Sequence, residues 1–189
     1  MWKKFFFLGG RIVGGEETII EFHPYQAALQ FRRGSQVFHH CGASIISTKF
    51  LLTAAHCDIW PHLFFARVGA TNFNEGGQLL KIESFIQHPK YFRPNLDYDY
   101  AVAGFADGDE IVLSSSALIA QLAPMNAPDP VDGSLVCVSG WGYVDVTIMI
   151  FIFCYSRFFS GSSCFAPGEP GIYSKISVAR DWIDKVARL

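Results

Sequence analysis

The sequence predicts an all-β protein with one helix at its C-terminal end, and two observations carry this prediction. Short runs place their larger apolar residues at every second position, as in Tyr25–Phe31, Leu80–Glu83 and Ile172–Ile176. This alternation is typical of half-buried strands. The runs are rich in Val, Ile, Tyr and Phe, and Gly, Asn, Asp or Pro separates them, which is the composition expected of strands joined by turns.

The helix is predicted over Val178–Arg188. Trp182 and Val186 lie four positions apart with Ile183 beside them, and this spacing makes a single apolar stripe on a helix. Ser177 is predicted to cap the start of the helix with its hydroxyl group.

A connector is predicted at Ala123–Pro130, because its three prolines remove backbone donors that a helix or a central strand would need. The chain therefore divides into two β-rich halves.

Composition and charge exclude several classes of protein. The 189 residues are 50% hydrophobic and 17% charged, with a formal net charge of −2 and no long run of like charge. A disordered chain is excluded, and neither nucleic acid nor a membrane is expected as a partner. The longest apolar stretch, Ile148–Tyr155, is far shorter than the roughly 18 residues of a membrane span. Lys3 and Lys4 precede only Phe5–Leu8, which is shorter than the roughly 7–15 apolar residues of a signal peptide.

The cysteines predict disulfides rather than a metal site. No CxxC pair and no histidine at zinc-finger spacing accompanies them, so we expect no metal and no cofactor. Their number is odd, and two or more disulfides would imply an oxidising compartment. The five are Cys41, Cys57, Cys137, Cys154 and Cys164.

The segment Thr53–Cys57 carries the candidate chemistry. His56 stands between small residues and Cys57, so a disulfide at Cys57 would tether its backbone. Cys41 is the expected partner, and closing a loop of this size contributes about 3 kcal/mol. A fixed histidine with a near-neutral pKa suits a general base. The alternative is that His56 is a buried structural histidine.

Seven short sequence motifs, termed words here, occur in the same order as in the trypsin/chymotrypsin family of serine proteases, which this chain therefore resembles. The resemblance covers Arg11 to about Tyr143 and about Gly161 to the end. The words are Arg11–Gly15, Pro24–Gln26, His40–Ile46, Thr53–Cys57, Asp97–Val102, Ser139–Gly142 and Pro170–Lys175.

The resemblance implies a fold of two antiparallel β-barrels followed by the C-terminal helix, with the second barrel incomplete. It also implies the domain boundaries. Residues 1–11 would be a residual leader or propeptide, and residues 12–189 the trypsin-like serine protease domain. Within that domain, 12–122 would form the first barrel, 131–176 a truncated second barrel and 177–189 the helix.

The resemblance also assigns roles to particular residues. His56 would be the general base and Asp99 the carboxylate that holds it in the right tautomer. Asp97 is the competing choice, but Asp99 is the one that directly precedes the aromatic–Ala pair. Arg11–Ile12 would be the bond cleaved to activate a zymogen, and Gly161 and Ser162 would line the wall of the substrate pocket.

The family's Gly-Asp-Ser-Gly-Gly-Pro word, which contains the serine nucleophile, occurs nowhere in this chain. After Tyr143 the segment Val144–Phe159 matches nothing in the family. Its apolar part, Thr147–Tyr155, is alternatively a buried strand that replaces the lost ones. We interpret the segment as translated intron or a mis-joined exon. Without the word there is no serine for His56 to activate, and the oxyanion hole is lost as well.

Other chemistry-bearing residues are given structural roles. His23, His39, His62 and His88 are predicted to be ordinary loop residues. Ser160, Ser162 and Ser163 are read as turn formers, and Cys154 as a buried core thiol.

Three functional hypotheses follow. The family function is that of a secreted serine endopeptidase acting on protein or peptide substrates, with an activating protease and protease inhibitors as partners. In this chain that function is expected to be lost. The alternatives are a non-catalytic serine protease homologue with a binding or regulatory role, and a mis-assembled product with no function of its own.

Overall fold

Six antiparallel strands close into a barrel in the first part of the chain. The computed structural model describes residues 16–58, 64–129, 131, 137–141, 152–153, 157–159 and 173–189. Neighbouring strands around the barrel follow the order β1-β2-β3-β6-β5-β4, and β4 pairs with β1 to close it. The strands are β1 (Gln26–Arg33), β2 (Gln36–Ile45), β3 (Phe50–Thr53), β4 (Phe64–Val68), β5 (Gln78–Gln87) and β6 (Ala101–Phe105).

The alternation in Tyr25–Phe31 locates β1 correctly, but the prediction that the strand is half-buried is wrong. Gln26 and Gln30, which point away from the barrel interior, are 2% and 1% exposed. The Oε1 of Gln26 accepts a hydrogen bond from Ser139 Oγ at 2.7 Å, and Gln30 Nε2 donates to the carbonyl oxygen of Phe73. Elements distant in sequence therefore cover the outer face of β1.

Small and branched apolar side chains fill the barrel interior. Full burial of one Leu, Ile, Val or Phe side chain stabilises a fold by about 1.5–3 kcal/mol, so this cluster is the main source of the barrel's stability. Its larger members are Leu29, Ile45, Leu51, Phe64, Val68, Leu80 and Ile82.

The second half of the chain contributes two small sheets within the described ranges. Strand β7 (Val138–Ser139) pairs with β8 (Ile152–Phe153), and β9 (Arg157–Phe159) pairs with β10 (Tyr173–Lys175). Strands β8 and β9 both lie in Val144–Phe159, the segment for which the sequence motifs predict no resemblance. Of the alternative strand over Thr147–Tyr155, the described residues are those of β8.

Helix α1 runs over Ile176–Ala187 and so begins two residues before the predicted start. The prediction that Ser177 caps it is wrong: Lys175 is the N-cap residue, no side chain caps the helix, and Ser177 is buried within it. The physical reason is packing, because Ile176 belongs to a buried cluster with Leu52 of β3 and Val102 of β6.

The connector prediction agrees with the structure, since residues 123–129 form neither helix nor strand. Arg180 of α1 fixes the start of this connector. Its Nη1 donates to the carbonyl oxygen of Ala123 at 3.0 Å, and its Nε donates to Asp184 Oδ1 at 2.7 Å. In the part of the chain that is described, α1 is neither long nor apolar enough for a membrane-spanning helix.

Candidate active site

His56 lies in a 3-10 turn, Ala55–Cys57, that follows β3 directly. A disulfide joins Cys57 to Cys41 on β2, so the turn is covalently tied to the barrel wall. Ala55, the first residue of this turn, is fully buried. The Nε2 of Gln87 donates to the Ala55 carbonyl oxygen at 2.9 Å. These contacts fix the backbone that carries the imidazole.

Asp99 approaches His56 with both carboxylate oxygens. Oδ1 accepts a hydrogen bond from the backbone N–H of His56 at 2.8 Å, and Oδ2 lies 2.6 Å from Nδ1 of the ring. An ionised carboxylate can only accept, so Nδ1 carries a proton, and in the neutral ring Nε2 then presents its lone pair. The Asp99 side chain is fully buried while that of His56 is 37% exposed. The exposure argues against the alternative of a buried structural histidine.

Asp97 lies elsewhere. It is exposed, and its Oδ2 accepts a hydrogen bond from Asn95 Nδ2 at 2.7 Å. Leu96 and Tyr98 both adopt left-handed backbone conformations, with φ of 58° and 51°. This turn geometry is costly for large side chains, and it separates the exposed Asp97 from the buried Asp99.

His40 is a neighbour of this pair that the sequence analysis treated only as part of a matching word. The pairing of β1 with β2 shifts register at this point, so that Leu29 faces Cys41 while Gln30 faces His39. His40 is the extra residue of this bulge, and bulges commonly re-aim side chains. Burial lowers the pKa of His40, a backbone hydrogen bond to Cys57 opposes that shift, and the nearby His56 lowers the pKa further. The one sequence signal that could have placed His40 near His56 was its position next to Cys41, the predicted disulfide partner of Cys57.

A metal does not fit the closest group of potential ligands. Atoms of Cys41, His56 and Cys57 lie within 4.8 Å of one another, but the two sulfurs are bonded to each other. A metal would need thiolates, which a disulfide does not provide.

The prediction of ordinary loop histidines is wrong at two positions. His39 lies within β2, with its ring 5.5 Å from Phe73 and 5.7 Å from Trp141 between centroids. His88 follows β5 but is only 8% exposed. His23 follows a 3-10 turn and contacts Tyr25 Oη at 3.3 Å through Nδ1. Periodicity missed the burial of the His39 ring nitrogens and of His88 because the covering residues come from distant parts of the chain.

Several predicted residues lie outside the described part of the chain, and the structure places none of them. They are Arg11 and Ile12 of the predicted cleavage bond, Gly161 and Ser162 of the predicted pocket wall, His62, Cys154, Cys164, Ser160 and Ser163.

Comparison with known proteins establishes the family. The family model described as Trypsin matches residues 12–147. Trypsin of Simulium vittatum is 39% identical over 137 residues, which covers 71% of this chain and 54% of that protein. Trypsin theta of Drosophila melanogaster is 36% identical over 135 residues, covering 70% and 48%. The chain therefore belongs to the trypsin family of serine proteases, and it spans about half the length of these relatives.

A longer alignment joins both halves of the chain to one relative. Hypodermin-B of Hypoderma lineatum is 30% identical over 237 aligned positions, covering 96% of this chain and 89% of that protein. Because the alignment exceeds the 189 residues of the chain, it includes positions at which this chain has no residue.

Solved structures share the fold at low identity. The scabies mite inactivated protease paralogue S-D1 superposes with a TM-score of 0.62 at 23% identity, covering 71% of this chain and 55% of that one. The structure of GrC superposes with a TM-score of 0.74 at 18% identity, covering 94% and 100%. These likenesses concern the fold alone.

Proposed function

We propose that this chain has the fold and the His–Asp pair of a trypsin-like serine endopeptidase but does not hydrolyse peptide bonds. One observation carries the proposal: His56 and Asp99 are hydrogen-bonded at 2.6 Å, while the sequence has no Gly-Asp-Ser-Gly-Gly-Pro word. In the triad mechanism the histidine removes a proton from a serine hydroxyl, which then attacks the substrate carbonyl. Without that serine, the base has no nucleophile to activate.

The remaining family features enter as parts of the same proposal. Residues 12–189 form the protease-like domain, with 12–122 as the first barrel, 131–176 as a shortened second barrel and 177–189 as the helix. Arg11–Ile12 is proposed as the bond of this chain that is cleaved to activate a zymogen. Secretion is supported by the Cys41–Cys57 disulfide, because such bonds persist in oxidising compartments.

A second candidate function is protein binding without cleavage, as in a non-catalytic protease homologue. The observation that favours it is that the first half of the chain forms a complete barrel with an accessible site. The barrel is closed, its core is buried, and His56 remains accessible beside a fully buried Asp99. The scabies mite protein that shares this fold is described as an inactivated protease paralogue, which is the state that we propose here.

Absence of catalysis is tested with a fluorophosphonate probe and a peptide amide substrate. We expect no labelled serine and an amidase rate about 10⁶-fold below that of trypsin assayed in parallel, the loss typical when a triad nucleophile is removed. The matched control is His56→Ala, which should leave the residual rate unchanged. A serine labelled in the wild type but not in His56→Ala would contradict the proposal.

Binding without cleavage is tested with fluorescein-labelled casein peptides. If the second candidate is correct, their anisotropy rises on addition of the chain, and mass spectrometry shows the peptides intact after overnight incubation. No rise at a chain concentration of about 100 μM, where the binding free energy would be weaker than about −5.5 kcal/mol, would exclude this candidate. It would leave the first proposal untouched.

A further inference from the structure

Three aromatic residues from two separate elements enclose the His88 ring. The ring stacks on Tyr98 with 4.8 Å between centroids and a 15° interplanar angle. Trp182 of α1 meets it nearly edge-on at 4.9 Å, and Tyr100 does the same at 5.9 Å. His88 is thus one of the contacts between α1 and the segment 98–100.

The same segment carries Asp99 of the candidate active site. The backbone N–H of His88 donates to the Tyr100 carbonyl oxygen at 2.8 Å, and Tyr100 Oη donates to the carbonyl oxygen of Lys175, the N-cap residue of α1, at 2.7 Å. In sequence, Asp99 lies between Tyr98 and Tyr100, the two tyrosines that contact the His88 ring. Its own carboxylate is occupied by the backbone N–H and the ring of His56.

One hydrogen bond makes this packing depend on the protonation of His88. The backbone N–H of Lys90 donates to Nδ1 of the His88 ring at 3.1 Å, and Nδ1 can accept only while it carries no proton. In the imidazolium both ring nitrogens are donors. The N–H at Nδ1 would then face the N–H of Lys90, and this hydrogen bond would be lost.

Among the described residues, no carboxylate near His88 is placed to stabilise the positive charge of its protonated ring. Burial, and after it the charge of Lys90, lower the pKa of His88 from its ordinary value of 6.5. Lys90 Nζ lies 5.2 Å from the centroid of the Tyr98 ring. From segment 98–100 the titratable groups are the two tyrosine hydroxyls and the Asp99 carboxylate, which is turned to His56. On α1, the charged residues nearest to Trp182 are Asp181 and Lys185, which are exposed, and Arg180 and Asp184, which pair with each other at 2.7 Å.

We propose that His88 is an acid-sensitive latch: its neutral ring holds α1 against the segment that carries Asp99, and its protonation releases that contact. Acid favours the released state because a solvated His88 takes up its proton at a higher pH than the enclosed one. Release frees Trp182 from the ring and removes one support of the segment that positions Asp99. The latch is a property of the folded chain and does not depend on whether the chain binds or cleaves proteins.

The test is ¹⁹F NMR of the full chain labelled with 5-fluorotryptophan, with the Trp182 resonance assigned by its loss in Trp182→Phe. Between pH 7.5 and 4.5 we expect this resonance to shift with a midpoint below 6.5. Over the same range, amide exchange in α1, corrected for intrinsic rates, should accelerate at least about tenfold, a change typical of a local opening. His88→Phe keeps an aromatic ring and should abolish both changes. The matched control His23→Phe removes a partly exposed histidine with a lowered pKa and should preserve them.

Each contrary result overturns the latch. The Trp182 resonance could stay constant with pH in the wild type, or it could titrate while exchange in α1 does not change. An identical response in His88→Phe would assign the titration to another group. Should His88→Phe fail to fold, the two wild-type measurements still decide, because a latch requires both to change together.

Discussion

Replacement of Gly77 by alanine is expected to cost about 2–5 kcal/mol of unfolding free energy. Gly77 stands just before β5 with φ of +57°, and a Cβ atom there would overlap the carbonyl oxygen of Val68 and lie 2.9 Å from that of Gly69. The left-handed conformation alone costs about 1–2 kcal/mol for a residue with a Cβ. Steric overlap in a packed region adds about 1–3 kcal/mol. The obstructing atoms belong to backbone, so no side-chain rotation can relieve the overlap.

Gly34 supplies the matched control for this experiment. It also has a positive φ, of +63°, but a Cβ atom would meet nothing within 4 Å. Gly34→Ala should therefore lose only the conformational part, about 1–2 kcal/mol. Urea denaturation of both variants and the wild type measures the two effects. Equal losses in the two variants would show that the approach of residue 77 to the end of β4 contributes nothing to stability.

The two glycines illustrate what the sequence can predict of this fold. Alternating apolar residues located β1 and β5, and proline content located the connector, because these signals act within a few residues. The tight approach of Gly77 to Val68 comes from the pairing of β4 with β5. No local pattern distinguishes Gly77 from Gly34: Gly34 lies in the turn between β1 and β2, and Gly77 lies in the bend before β5.

Burial of polar residues was missed for the same reason. The alternation in β1 predicts a solvated outer face, but Ser139 donates to Gln26 Oε1 there and the carbonyl oxygen of Phe73 accepts from Gln30 Nε2. These partners lie 113 and 43 residues away. The start of α1 at Ile176 instead of Val178 likewise follows from packing against β3 and β6.

The candidate site was more accessible to sequence reasoning than its surroundings. Motif words identified His56 and Asp99, and the structure brings these two together while Asp97 remains exposed. The words contain no information on what encloses the site. His40 reaches the site through a bulge, and His88 reaches Asp99 only through its tyrosine neighbours. Both roles depend on three-dimensional contacts that the spacing of residues in one chain does not encode.

Acid is expected to destabilise the barrel through His39. Neither ring nitrogen of this residue has a hydrogen-bond partner among the described residues, and both are buried. Burial, and then the charge of His40, lower the pKa of His39 from 6.5 to about 4. In the unfolded chain the ring takes up its proton near 6.5, so the unfolded state binds more protons between these two values. The unfolding free energy should fall by about 3 kcal/mol as the pH decreases from about 7 to 4, at about 1.4 kcal/mol for each pKa unit.

His39→Phe separates this contribution from those of the other histidines. Phenylalanine retains a ring between Phe73 and Trp141 and removes two unsatisfied polar atoms, so at pH 7 the variant should be as stable as the wild type or up to about 3 kcal/mol more stable. In urea denaturation at pH 7, 5.5 and 4, the variant should lose about 3 kcal/mol less than the wild type. His23→Phe should retain most of the wild-type loss, because only burial lowers the pKa of His23 and its side chain stays partly exposed. Equal acid losses in His39→Phe and the wild type would mean that His39 titrates as it does in the unfolded chain, and hence that water reaches its ring in solution.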